Sequence, residues 1–462
     1  MKRPQIRKKL SILAILWVTG TAMAVPTADW TIMVYMNAKN TLECDALENF
    51  AQLATLGSTS TVPVVAELGR PKLIMDGGKL RSRNRCGDKE PWDGVLRFFV
   101  TKNQQPLPRN AVQMLGAADM GSAETLRKFV DWAKTNYPAK HYLLVIWNHG
   151  QGWRFQTSPN QAVNANFSRD RIPALLTEES NKAGTKARPL PPVGGFRSVS
   201  FDGDTKHFLY NRDIQDSLGS LLGARKLDVI GFDACLMAMI ESGYAFRSLA
   251  TVLVASEELE PDRGWDYGDI LRQVQDHAGA LDARGMGELL VESYKRVYRD
   301  RLKTTLSAIK LDNVDGFADA ISRLAVELVK DLALERQQIA NARVACRNYG
   351  ENQNLTNSID VRQFATKLLE VTKNGEVLRA AKEVTDLLDA QSLVYSHYAS
   401  KRSQGDYGSF GISIYFPASK HDFDEDADKD GYLRSNSNHA VEFVQKNEWS
   451  RFLDRYLKLS GN

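Results

Sequence analysis

The chain has 462 residues, 43% hydrophobic and 25% charged, which is ordinary globular composition with apolar content for one large core or two to three domains. Its formal charge is +4, but residues 1–24 carry five lysines and arginines and no acids, so the rest sits at −1. A near-neutral body excludes a whole-protein charge argument for nucleic acid or an anionic membrane, and four cysteines in a chain this long exclude a disulfide scaffold.

The N-terminus, residues 1–24, reads as a secretory signal peptide. A basic stretch precedes "LSILAILWVTGTAMA", and Ala22-Met23-Ala24 fits a small-x-small cleavage site. The apolar part is too short to span a bilayer comfortably, and no cysteine follows it, so no stable membrane or lipid anchor is expected. The mature chain is predicted to start near Val25 and to be secreted or periplasmic.

Strand-like and helix-like segments then alternate. "WTIMVYMNA" is a buried-strand candidate, followed by the helically spaced "LECDALENFAQLATLG". "TVPVVAELG" and "GVLRFFVTK" read as further strands, and "SAETLRKFVDWAKTN" as a helix capped by Ser122. "HYLLVIWNHG", "LDVIGFD" and "ATVLVAS" complete the series, the last two separated by the helix-like "LMAMIESGYAFRSL". This rhythm predicts an α/β fold with a mostly parallel central sheet and helices on both faces. It is assigned to residues 25–310, with a largely helical subdomain over 311–462 that carries a returning strand at 410–417. Residues 154–199 break the rhythm. They are polar and rich in proline and glycine, too long for an idle loop.

Sites in open α/β sheets form beyond the carboxyl ends of strands. His149 follows one such strand and Cys235 another. If the two strands are neighbours, the imidazole faces the thiol and can generate the thiolate, the nucleophilic form. Asp233 shares a face with Cys235 by the two-residue period of a strand, so it is placed to receive a cationic side chain. The helix expected directly after Cys235 favours an anion at its N-terminus, and Gly150 lets a backbone N–H approach an oxyanion. Each feature also has an ordinary structural explanation, as core cysteine, structural histidine or helix cap. No zinc-protease, Cys-x-x-Cys, serine-hydrolase or P-loop motif occurs.

Taken together, "DWTIMVYMNAKNTLE", "LLVIWNHGQGW", "VIGFDACLMAMIE", "ASEELEPDRGWDY" and "GISIYFP" resemble the clostripain family of cysteine endopeptidases, of the caspase–gingipain–legumain clan. The resemblance implies a caspase-like sandwich and a Cys235–His149 dyad. It implies an oxyanion hole from the N–H groups of Gly150 and Cys235. It also implies cleavage after Arg or Lys, with Asp233 lining the S1 pocket that holds the residue before the scissile bond. Lys39 and Thr41 stand where relatives often carry acids. Asp262-Arg263 stands where many carry Gly-Asp, so Asp262 is a second S1 candidate and Arg263 a potential opponent. Self-cleavage in 154–199 is implied too, with Lys182, Lys186 and Arg188 as candidates.

"DFDEDADKDGYL" matches half of an EF-hand-like loop, which makes Asp426, Asp428 and Asp430 candidate Ca²⁺ ligands, although Ser437 replaces the usual bidentate Glu. Relatives are often calcium-dependent, so Ca²⁺ is the one expected cofactor, structural or activating, and no organic cofactor is expected. The expected partners are protein or peptide substrates with basic residues before the cut, and no nucleic acid. The chain is expected as a monomer, or as two self-cleaved chains. The alternative is an exported, calcium-stabilised binding module on the same fold.

Overall fold

Strand β1 (Ala28–Asn37) is a run of β-branched, aromatic and apolar residues in which nearly every side chain is buried. Its alternation sends Ile32, Val34 and Met36 into one hydrophobic cluster and Met33 and Tyr35 into another. Such a strand needs cover on both faces, which is the condition of an interior strand in a parallel sheet. A computed structural model bears this out. It describes residues 27–87, 89–153, 199–299, 301, 303–350, 357–389, 391–400, 408–426, 429–434 and 441–460. The expected signal segment 1–24, the cleavage candidates Lys182, Lys186 and Arg188, and the candidate ligand Asp428 lie outside the described residues.

The other strands of the large sheet are β2 (Val64–Arg70), β3 (Gly94–Phe99), β4 (Gln113–Gly116), β5 (Ala139–Trp147), β6 (Leu227–Asp233), β7 (Ala250–Ala255), β8 (Thr305–Lys310) and β9 (Val394–Ala399). Their spatial order is β9-β8-β7-β6-β5-β1-β2-β3-β4. The five central strands, β2, β1, β5, β6 and β7, run parallel. The outer pairs are antiparallel. One face is covered by helices α1 (Glu43–Leu56), Tyr267–His277 and Ala283–Tyr298. The other carries Ala123–Asn136, Asn211–Leu222, Ile240–Phe246 and the helices of the C-terminal third. Among those, Val314–Lys330 presents Phe317, Ile321, Leu324 and Leu328 to the core at helical spacing.

Two local details depart from expectation. Ser413–Tyr415, inside the segment 410–417, pairs with Ser358–Asp360 in a separate two-stranded sheet, and the strand that rejoins the large sheet is β9. Ser122 stands at the N-cap of Ala123–Asn136 but makes no side-chain capping bond.

The loop after β1 is pinned from two sides. Lys39 is buried; its Nζ lies 3.2 Å from the Asp202 carboxylate and donates to the Ala118 carbonyl at 2.7 Å. Glu43, at the start of α1, accepts from Arg70 Nε at 2.8 Å and from Asn84 Nδ2 at 2.9 Å. Next to it, Cys44 forms a disulfide with Cys86. The bridge ties the hairpin Ile74–Asp76/Lys79–Arg81 to the carboxyl edge of the sheet.

The bridge closes a loop with a sequence separation of 42. Chain-entropy reasoning for that loop gives about 4 kcal/mol of stabilisation. The double variant Cys44→Ala/Cys86→Ser is expected to lose about that much in urea unfolding, and a loss below about 1 kcal/mol would show that the hairpin holds without its bridge.

Candidate active site

The site begins with strand register. Trp147, the last residue of β5, pairs with Asp233, the last residue of β6. The chain continues the match: Asn148 N–H donates to the Asp233 carbonyl at 3.3 Å. Two residues beyond each strand end, His149 and Cys235 therefore leave the same edge of the sheet side by side. Gly150 is pressed against the thiol's own backbone. A β-carbon there would stand 2.4 Å from the Cys235 carbonyl oxygen and 3.1 Å from the Cys235 nitrogen. Only glycine admits this approach, and it brings the backbone of residue 150 to that of residue 235.

The expected helix does not start at Cys235. Leu236 takes a left-handed conformation with φ 63°. Leu236 N–H and Ala238 N–H then donate to the carbonyls of Glu258 and Ser256. The helix begins only at Ile240 and is 7 residues long. The thiol thus sits on a strained turn without a helix N-terminus behind it.

Its surroundings are acidic. Glu260 N–H donates to Cys235 Sγ at 3.2 Å. Burial pushes the Cys235 thiol up to about 12; the Glu260 N–H works against this, while the charges of Glu260, Asp262 and Glu258 add to it. Burial pushes the His149 imidazole down to about 4, and Thr41 Oγ1 lies 3.3 Å from its Nε2. Both groups are therefore neutral near pH 7, and the resting pair is thiol and imidazole rather than an ion pair.

Asp233 is buried beside them. Its Oδ2 accepts from Trp265 N–H at 3.1 Å and from the Tyr267 hydroxyl at 2.7 Å. Gly264 passes so close that a β-carbon would lie 2.7 Å from both carboxylate oxygens. Asp262 stands at the exposed rim, where burial raises its pKa and Arg301 lowers it. Arg263 is exposed, and its carbonyl accepts from Asn49 Nδ2 at 3.0 Å. Trp147 Nε1 donates to the same Asn49 side chain at 2.8 Å, so one residue of α1 fixes both β5 and the loop beyond β7.

Sequence reasoning did not single out Glu260, Trp265 or Tyr267. All three lie in or just after "ASEELEPDRGWDY", beyond the carboxyl end of β7, and their position in that block was the available signal. Of the candidate metal ligands, Asp426 and Asp430 are described. Asp426 is buried and accepts from the Tyr415 hydroxyl at 2.9 Å. Among the described residues no group of three or more potential ligands occurs, and Asp428 lies outside them. No helix of the described residues is long and apolar enough to cross a membrane.

The profile of the clostripain family matches residues 100–178 and 194–456. The chain belongs to the clostripain family. Clostripain of Hathewaya histolytica is 25% identical over 262 residues, 54% of this chain and 43% of that protein, so the chain spans less than half the relative's length. The solved structure of an inactive zymogen C11 protease from Parabacteroides distasonis matches with a TM-score of 0.54 at 17% identity, covering 92% of this chain and 98% of that one. A secreted C11 cysteine protease from Bacteroides thetaiotaomicron, solved with an irreversible peptide inhibitor, matches with a TM-score of 0.54 at 16% identity, covering 91% and 99%. These likenesses carry the fold, which is the expected caspase-like sandwich.

The neutral resting pair has a measurable consequence. Iodoacetamide labelling of Cys235, followed by peptide mass spectrometry, is expected to accelerate about tenfold per pH unit from pH 7 to 9, because the thiolate fraction still climbs there. A plateau below pH 7 would instead reveal a thiolate–imidazolium pair.

Proposed function

We propose that this clostripain-family chain is a secreted cysteine endopeptidase that cleaves after Arg or Lys. The observation that carries the reading is the register of β5 with β6, which brings His149 and Cys235 to one sheet edge with Gly150 packed on the thiol's backbone.

The chemistry follows from those atoms. His149 takes the Sγ proton as the sulfur attacks the peptide carbonyl, so charge separates only in the transition state. The N–H groups of Gly150 and Cys235 receive the developing oxyanion. The imidazolium then protonates the leaving amine, and the acyl group remains on sulfur as a thioester. Water, activated by the same imidazole, attacks the thioester and restores the thiol. Asp233, buried and anchored by Trp265 and Tyr267, is the base of S1 and holds the basic side chain before the cut. Asp262 adds negative potential at the rim.

Secretion rests on the signal-like segment 1–24, and one relative is itself a secreted protease. Self-activation rests on the basic residues between the histidine and cysteine segments, Lys182, Lys186 and Arg188 among them, and another relative is an inactive zymogen.

With fluorogenic peptides ending in Arg or Lys, Cys235→Ala and His149→Ala are each expected to lower kcat/KM by at least about 10³-fold. Intact mass spectrometry of the wild type is expected to show a chain break after a basic residue of 154–199, absent from Cys235→Ala. Equal turnover by wild type and Cys235→Ala would sink the dyad.

A further inference from the structure

Asp233 has a second acid beside it. Glu260 lies in the loop after β7, the parallel neighbour of β6, so it opens on the same sheet edge. Its main chain touches the thiol: the N–H donates to Cys235 Sγ at 3.2 Å, and the thiol faces its carbonyl at 3.9 Å. Its side chain turns towards Asp233. Both Glu260 carboxyl oxygens are buried; they interact with the Asp233 carboxyl and the Trp265 side chain, but no donor among the described residues meets them with full hydrogen-bond geometry. The Trp265 indole N–H is buried against Glu260 with imperfect geometry, and the Tyr294 hydroxyl is buried in the same neighbourhood without a partner among the described residues. A buried carboxyl with so few well-aligned donors is costly to keep charged, and a second acid beside it leaves room for a cation to satisfy both.

The charges around it agree. Burial, and then the neighbouring Asp233, hold the Glu260 carboxyl well above the ordinary range, and burial raises Asp233 as well. The titratable groups facing the pair are Tyr267, Tyr294, Tyr298 and Cys235, all pushed upward and therefore neutral. Among the described residues, no lysine or arginine forms an ion pair with either acid. Two desolvated carboxyls side by side do not both ionise unaided.

We propose that Glu260 is a second specificity residue of the basic pocket: without substrate, Asp233 and Glu260 hold one proton between them, and the P1 guanidinium or ammonium replaces that proton. This rests on the proposed preference for basic residues. The balance is simple. The carboxylic O–H bond breaks, its proton passes to the buffer, and both carboxylates accept N–H groups from the incoming cation. The pair carries −1 before, as acid plus carboxylate, and −1 after, as two carboxylates and a cation. The planar fork of a guanidinium suits two acids better than one.

Agmatine, an arginine side chain without its carboxylate, tests this by titration calorimetry on the full protein at pH 7 in two buffers of different ionisation enthalpy. The wild type is expected to release about one proton per agmatine, and Glu260→Gln about none. In Arg-peptide kinetics, Glu260→Gln is expected to raise KM at least about tenfold with kcat changed less than about threefold, and Glu260→Asp to recover proton release. A purely structural role would not move the proton count. Agmatine binding without proton release in the wild type, or unchanged release in Glu260→Gln, overturns the inference while leaving basic specificity intact. A wild type that neither binds agmatine nor cleaves after Arg or Lys overturns the basic-pocket reading, and this inference with it.

Discussion

The parallel pairing of β5 with β6 is the constraint on which the site depends. Side chains alternate across a sheet, so a one-residue slip between these strands would send the thiol and the imidazole to opposite faces. The register is held from both sides. Ile230, Phe232, Leu144 and Ile146 bury into one cluster, and Val229, Leu143, Val145 and Trp147 into the other. A slip would have to invert two cores at once. The positions of His149 and Cys235 are thus set by apolar packing that never touches substrate, while the polar groups at the edge only refine them.

On the proposed function, the thiol rests at high pKa and gives up its proton to His149 only as it attacks. Glu260 and Asp262 are among the acids that raise it. On the proposed exchange of a proton for a basic side chain, the Asp233–Glu260 pair carries −1 before and after binding, so the exchange sets selectivity while leaving the charge that the thiol faces unchanged. One residue then links nucleophile and pocket, with the Glu260 backbone touching the sulfur and its side chain beside Asp233.

Much of this was legible in the sequence because the strands that position the site are buried on both faces. β1, β5, β6 and β7 read as uninterrupted apolar runs with polar or small residues at their carboxyl ends, and His149, Cys235 and Asp233 stand at those ends. What depended on neighbours was not legible. "LMAMIESG" has helical spacing from its first residue, yet Leu236 and Ala238 spend their N–H groups on Glu258 and Ser256, so the helix waits until Ile240. The sequence of β9, "VYSHYA", shows little alternation and becomes a strand through its pairing with β8. Three cysteines besides Cys235 left the disulfide open; proximity of the α1 start to the hairpin base chose Cys44 and Cys86. Glu260 is one acid among several in its segment until β6 and β7 are known to be adjacent.

The loops at this edge share a further property: each is tied down by a buried charge or acid. Lys39 meets Asp202, Arg70 meets Glu43, and Arg347 meets Glu258. Buried ion pairs add little net stability, because desolvation consumes most of their attraction, yet breaking one strands a charge in the core at a cost of about 3–5 kcal/mol. A loop held this way has one acceptable position rather than a range. Lys39 carries this argument furthest. Its partner Asp202 belongs to the segment that follows residues 154–198. There Ser200 N–H also reaches the His149 carbonyl at 3.4 Å, and its hydroxyl accepts from Asn37 Nδ2 at 3.0 Å. The segment downstream of the candidate cleavage region is therefore bound to β1 and to the histidine by contacts that do not pass through the region itself. A chain broken between 154 and 198 would keep both halves of the site together, which is what maturation by internal cleavage requires.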